Sequence, residues 1–337
     1  MQPTIDAERC VHSLTPQASC QRCVDACPHG ALLLGEEALR MDSEACDGCG
    51  LCVPACTEEA IEGHAPIAAR WEGNPRIAAF ACSRSGVTPD VGVIRCLHAL
   101  GMRDLLALYK EGIRKLAFAA ADCDRCEYGC SERIELRVSE LFLLFRVNGI
   151  AELYMRYVTL ARWQSCRESS AIEEQPANAS RRRFFRGVAN SAVERARAPG
   201  EDTAQPLGKW MYQQGTVALA PFVPQIEASR CDACGACVQL CPHDAITTLG
   251  PEKGLYRLQI DCLACTGCDI CQDICISRAI TVRRSAVVQQ KVLSFHERKC
   301  QRCGANFFVP DSDAAVRRVC SICAVNSSKP KLYQVFP

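Results

Sequence analysis

Cys231-Asp232-Ala233-Cys234-Gly235-Ala236-Cys237-Val238-Gln239-Leu240-Cys241-Pro242 is the stretch that decides the fold. Three cysteines at a spacing of three wind a loop around one iron–sulfur cubane. The fourth, after a three-residue gap, starts a helix that leads away, so it serves a second cubane. Proline after that cysteine is tolerated because a first-turn N–H is unpaired anyway. Gly235 allows close approach of backbone to cluster. The run Cys265-x2-Cys268-x2-Cys271-x3-Cys275 supplies the partner, with Ile276 in the place of proline. Crossing of the fourth cysteines gives two expected sets: Cys231, Cys234, Cys237 and Cys275, and Cys265, Cys268, Cys271 and Cys241. Cys262 is left over, and the gap before Cys275 fixes the frame without it.

The same device stands at the start of the chain with one departure. Cys46-x2-Cys49-x2-Cys52-x3-Cys56 is intact. The other run reads Cys20-x2-Cys23-x3-Cys27-Pro28, and Gln17 holds the position expected for its first cysteine. An enlarged loop with Cys10 as the missing thiolate is expected. It gives the sets Cys10, Cys20, Cys23 and Cys56, and Cys46, Cys49, Cys52 and Cys27; the alternative is a three-iron or open-site cluster with Cys10 idle. Between the two runs of each copy lies a hairpin-like stretch. It covers Ala31–Leu34 and Ala38–Met41 in the first copy, and Ala245–Leu249 and Leu255–Ile260 in the second, with Gly250 and Pro251 as turn chemistry. Both copies resemble the bacterial two-cluster ferredoxin family. That resemblance implies four [4Fe–4S] clusters and an electron-carrying role.

Between the copies the texture changes. Ile77–Ala81, Val91–Ile94 and Leu116–Ala120 read as short buried strands, and Met102–Gly112 and Leu136–Val147 as helices. Strands alternating with helices indicate an α/β domain with a parallel sheet. Cys82, Cys96, and Cys123 with Cys126 and Cys130 follow the three strands in turn, so they converge on the carboxyl edge of such a sheet. They are candidates for an additional iron–sulfur site. Phe80-Ala81-Cys82, Ile94-Arg95-Cys96, Gly112 and the last three cysteines are similar to the delta-subunit family of methyl-viologen-reducing hydrogenases. That family implies a [2Fe–2S] or other cluster here and electron delivery to a heterodisulfide reductase. Ser85 stands where a second early cysteine belongs in that family.

The tail carries Cys300-x2-Cys303 and Cys320-x2-Cys323, a zinc-ribbon pattern of two knuckles and four thiolates. One Zn2+ is expected, with a rubredoxin-like iron as the alternative. His29 and His243 follow Cys-Pro in both repeats and read as supporting residues rather than ligands; Cys166 reads as a lone thiol. The expected fold class is a mixed α+β and α/β multidomain chain. It comprises a ferredoxin-like module over residues 1–72, an α/β domain over 76–165, a linker over 166–224, a second module over 225–285 and a zinc ribbon over 286–337.

Of 337 residues, 27 are cysteine, and C-x-x-C spacing without a leader favours metal over disulfides. Net charge is +1, which points to neither nucleic acid nor a membrane surface. Residues 1–75 are nevertheless acidic, with 4 basic and 12 acidic side chains, a face suited to a basic redox partner. No run approaches a membrane span, and the internal Ser180-Arg181-Arg182-Arg183-Phe184-Phe185 lacks the apolar segment of an export signal, so a cytoplasmic setting is expected. Neither a substrate pocket nor a nucleotide loop can be read. The expected role is therefore an electron-transfer subunit rather than an enzyme. Its partner would be a molybdenum or tungsten dehydrogenase, a hydrogenase or a heterodisulfide-reductase-like protein. The alternatives are thiol–disulfide catalysis by the central cysteines, or a redox-responsive interaction protein.

Overall fold

The computed structural model describes residues 2–35, 38–63, 68–71, 74–88, 91–129, 133–165, 167–168, 205–252, 254–289, 291–313 and 317–325. Cys130, Cys166, the arginine run and most of the expected linker lie outside the described residues.

The central sheet has six strands. Their order is Arg167–Glu168, Ala69–Trp71, Asn74–Cys82, Lys115–Ala119 and Tyr154–Tyr157, and Val93–Ile94 also pairs with Asn74–Cys82. Asn74–Cys82, Val93–Ile94, Lys115–Ala119 and Tyr154–Tyr157 run parallel, with Cys82 opposite Ile94 and Ala81 opposite Ala119. The long strand is apolar on both faces, as a parallel strand covered on two sides must be. Its residues alternate. Ala78, Phe80 and Cys82 join a core with Leu105, Leu108 and Tyr109 of the helix Met102–Lys110 and with Val138, Leu141 and Phe145 of the helix Ile134–Val147. Ile77, Ala79 and Ala81 face Trp71 and Trp163 on the other side. Two side chains tie the first of these layers together. His98 Nδ1 accepts the Ile134 amide at 3.0 Å, filling an otherwise orphaned donor at that helix start, and Arg137 donates to the His98 carbonyl at 2.7 Å.

Part of the stretch expected as linker is regular structure. Leu207–Gln214 is a helix and Leu219–Ile226 a strand. The helix lays Trp210 edge-on against Tyr109, ring centroids 5.8 Å apart, and its Met211 belongs to the central core. Asn148, which caps the helix Ile134–Val147, clamps the strand. Its Nδ2 donates to the Leu144 and Leu219 carbonyls, both at 2.8 Å, and its Oδ1 accepts the Ala218 and Leu219 amides at 2.7 and 3.1 Å.

Each cysteine-rich module pairs its first and last strands and encloses a hairpin. In the first, Thr4–Ile5 pairs with Ile61–Glu62 and Leu32–Leu34 with Leu39–Met41. In the second, Leu219–Ile226 pairs with Ile280–Val287 and Ile246–Glu252 with Leu255–Ile260. The tail does not stand apart from it. After a break that follows Val287, Lys291–Lys299 pairs with Leu255–Ile260 on one side and Asn306–Pro310 on the other. No described helix is long and apolar enough to cross a membrane.

Candidate iron–sulfur centres

The three intact C-x-x-C-x-x-C loops share one backbone path. Gly48 and Gly50, Ala233 and Gly235, and Gly267 and Asp269 all lie at positive φ, two and four residues after the first cysteine of the loop. Alternating left-handed residues turn successive amides inward, a concavity suited to an anionic cluster. Glycine is required at one of these positions by space as well: a Cβ on Gly267 would lie 2.3 Å from the Phe222 ring.

A second device recurs four times, and sequence reading missed it. Each cysteine that ends a run accepts an amide from the alanine four residues on. Ala31 donates to Cys27 Sγ at 3.3 Å, Ala60 to Cys56 at 3.3 Å, Ala245 to Cys241 at 3.2 Å and Ala279 to Cys275 at 3.2 Å. The residue before each alanine is left-handed: Gly30, Glu59, Asp244 and Arg278. Three of these are not glycine, so the turn is held at some cost in backbone energy. The shared Cys-x3-Ala spacing was the available signal.

The thiols gather as follows. Burial pushes Cys23 up to about 12, and Cys56, Cys20 and Cys10 push the same way. Cys10 itself lies between two short 3-10 turns, Ala7–Arg9 and Val11–Ser13, and is raised by burial and by Cys20. Gln17, in the place of the missing cysteine, is exposed and accepts a hydrogen bond from the Thr15 hydroxyl. Cys27, Cys46, Cys49 and Cys52 line one small cavity, walled by Ala31, Leu32 and Met41. Burial raises Cys237 to about 12, with Cys231, Cys234 and Cys275 adding to it. Burial likewise raises Cys271, with Cys268, Cys265 and Cys241 adding to it. Thiols crowded in an apolar setting resist ionisation because thiolates repel one another and lose solvation. The cationic iron–sulfide core that the thiolates ligate would reverse both terms, so these four groupings suit a cluster chemically. Cys262 is elsewhere, buried in the central core beside Leu263 and Trp210.

The described central cysteines lie at or after the carboxyl ends of neighbouring parallel strands. Cys82 ends its strand with Sγ 3.5 Å from the Arg95 carbonyl, Cys96 follows the neighbouring strand, and Cys123 and Cys126 follow Lys115–Ala119. That edge abuts the first module. Cys49, Leu51, Cys96 and Tyr128 form one buried cluster with Cys126 against it. Asp47 closes the contact in polar terms. It accepts from the Tyr128 hydroxyl at 2.6 Å and from the Cys49 amide at 2.9 Å, and His29 Nε2 and Arg95 approach it at 3.5 and 3.7 Å. Burial pulls the Asp47 carboxyl up, but these hydrogen bonds outweigh it and hold the group below its ordinary value.

The two modules also touch each other. Val11, Ala18 and Ile270 are buried together, with Cys20, Leu240 and Cys268 packed against them. Arg22 pairs with Asp269 and donates to the Gly267 carbonyl at 2.8 Å. The Ser19 amide and hydroxyl both donate to Asp273 at 2.8 Å. Glu58, with 8% of its side chain exposed, holds Thr266 at 2.5 Å and His243 at 2.7 Å.

In the tail, Cys300, Cys303, Cys320 and Cys323 bring their sulfurs within 4.8 Å of one another, close enough for a single ion. The Cys303 and Cys320 amides hold the Cys300 thiol down to about 6, the charge state a metal needs. Hydrogen bonding to Cys303 pushes Cys323 up to about 12.

Residues 2–57 match the 4Fe-4S dicluster domain family, and residues 224–247 match the 4Fe-4S binding domain family. A subunit of an ion-translocating oxidoreductase complex from Methanosarcina acetivorans is 42% identical over 43 residues, which are 13% of this chain and 16% of that protein. A ferredoxin from Rickettsia felis is 39% identical over 49 residues, 14% of this chain and 45% of that protein. The chain thus spans less than half the length of these curated relatives. The repeated cysteine frame, the recurrent turns and the two domain matches agree that the chain carries ferredoxin-type 4Fe–4S binding domains.

Proposed function

We propose that the chain is an electron-transfer subunit that relays electrons between a catalytic redox partner, a dehydrogenase or hydrogenase, and another redox protein. The observation that carries this reading is the closeness of successive thiol groups. Cys96 and Cys126 pack with Cys49, Cys52 is raised in part by Cys23, Cys20 packs with Cys268, and Cys271 is raised in part by Cys237. Electron tunnelling falls steeply with distance, so closeness of neighbouring sites is what a relay requires. The sixteen framed thiolates would hold four [4Fe–4S] clusters, each supplying a reversible one-electron couple when bound. The chain's own part is to fix the thiolates, exclude water and aim amides at the sulfurs. Cys82, Cys96, Cys123 and Cys126, with Cys130, would hold a further cluster, and the tail thiolates one zinc. The similarity to a component of an ion-translocating oxidoreductase complex supports a place in a multi-subunit redox assembly.

Iron analysis tests the reading. Anaerobic protein should carry about sixteen iron, and a few more if the central site is filled. It should accept electrons from dithionite and return them to an artificial acceptor without turning over a disulfide. A plateau near about eight iron after full reconstitution would remove two of the four clusters. Sustained disulfide reduction abolished by serine at Cys123 or Cys126 would make the chain an enzyme instead.

A further inference from the structure

The two modules are docked by equivalent faces. In the first, the loop with Cys46, Cys49 and His29 meets the central domain through Asp47 and Tyr128. In the second, the equivalent loop with Cys265, Cys268 and His243 meets the first module through Thr266, Asp269 and Glu58. His29 and His243 hold the same place in the repeat: the His29 ring packs edge-on against Tyr128 of the central domain while pairing with Asp47 of its own loop, and His243 pairs with Glu58 of the first module. The packing is therefore head to tail, and a head-to-tail contact leaves one unsatisfied face at its end. The series runs from the central cysteines to Cys27, Cys46, Cys49 and Cys52, then to Cys10, Cys20, Cys23 and Cys56. It continues to Cys241, Cys265, Cys268 and Cys271 and ends at Cys231, Cys234, Cys237 and Cys275.

The covered face of the first module carries Cys20 and Glu58, with Thr57 held by Arg22, the side chain that pairs with Asp269. Their counterparts in the second module are Cys234, Ile276 and Ser277. Cys234 is exposed, and Ile276 is 101% exposed, the highest value of any large apolar side chain described. A fully bare isoleucine beside a framed cysteine contributes nothing to folding, while a partner would bury it.

We propose that the face carrying Cys234, Ile276 and Ser277 is where the chain exchanges electrons with a separate iron–sulfur protein, docked as the second module docks on the first. A second copy of this chain does not suit the role, because both of its complementary loops are already covered. In each encounter one electron leaves this end of the series and reduces the partner's oxidised cluster by one, or the reverse. No bond forms or breaks and no proton moves. The inference rests on the relay reading above.

The test uses the full chain, reduced anaerobically and freed of reductant, with an oxidised bacterial two-cluster ferredoxin as probe. Ile276→Glu should slow electron transfer to the ferredoxin by at least about tenfold, the loss of one interface anchor. Iron content and transfer to methyl viologen should not change. Leu33→Glu, at the 57% exposed apolar residue of the first hairpin, should leave both rates unaltered. A photo-crosslinker at position 276 should yield a chain–ferredoxin adduct. An unchanged ferredoxin rate in Ile276→Glu, equal slowing by Leu33→Glu, or crosslinks from position 276 only within the chain would overturn the proposal. Failure to reduce methyl viologen at all would instead overturn the relay reading.

Discussion

Asn148→Ala should loosen the joint between the central domain and the second module by an amount the structure sets. Asn148 makes three hydrogen bonds to the strand Leu219–Ile226 and its approach: to the Leu219 carbonyl at 2.8 Å, and from the Ala218 and Leu219 amides at 2.7 and 3.1 Å. Its fourth bond, to the Leu144 carbonyl, lies within its own helix end, where water can replace it. At about 1 kcal/mol net for each of the three, the joint loses about 3 kcal/mol. Global unfolding is the wrong assay for a multidomain metalloprotein, because the transition is not two-state. Native-state hydrogen exchange reads the joint directly. Protection of the Ala218 and Leu219 amides should fall roughly a hundredfold, since each tenfold corresponds to about 1.4 kcal/mol. Amides of the central strand Lys115–Ala119 should not change. Unaltered protection at 218 and 219 would show that pairing with Ile280–Val287 holds this strand in place without the clamp.

Cys10→Ser should perturb one cluster and leave three, visible as loss or conversion of one low-temperature paramagnetic signal; a spectrum and iron count identical to wild type would mean that Cys10 is idle. In the tail, X-ray absorption should show zinc with four sulfurs at about 2.3 Å, and rubredoxin-like red absorbance without zinc would refute it. The same site has a pH window. The Cys300 thiol is held below its ordinary value, so its contribution to knuckle stability is complete above about pH 9 and is lost as pH falls through about 6. Zinc uptake by the metal-stripped chain should weaken through that interval in a chelator competition, and uptake that stays flat down to about pH 5 would contradict the geometry.

Cysteine spacing made the modules readable because cluster ligation is a local constraint, written within eleven residues in Cys231–Cys241 and again in Cys265–Cys275. The parallel strands were readable for a similar reason: Ile77–Ala81 and Leu116–Ala120 are short apolar runs of the kind buried on both faces. Leu219–Ile226 was not, because Pro221 and Pro224 demote a strand pattern. It tolerates them as one member of a two-stranded ladder, paired only with Ile280–Val287 among the described residues. Leu207–Gln214 is short and follows a long polar stretch, so its burial of Trp210 and Met211 is a tertiary fact. The module junction was out of reach altogether. Arg22 with Asp269 and Glu58 with His243 are exposed-looking charges in sequence, and nothing periodic announces that they face each other.

The continuous sheet formed by Ile246–Glu252, Leu255–Ile260, Lys291–Lys299 and Asn306–Pro310 has a practical consequence for anyone shortening this protein. The cysteine frame invites a cut after residue 285, yet that cut falls inside the strand Ile280–Val287. It would also strip Phe295 and Phe308 from Tyr256. Leu255–Ile260 would then present a full row of unpaired amides and carbonyls on one side, an invitation to strand addition from other chains. A fragment trimmed there should associate or precipitate even with its clusters loaded, and retaining the chain through Pro310 keeps that edge covered.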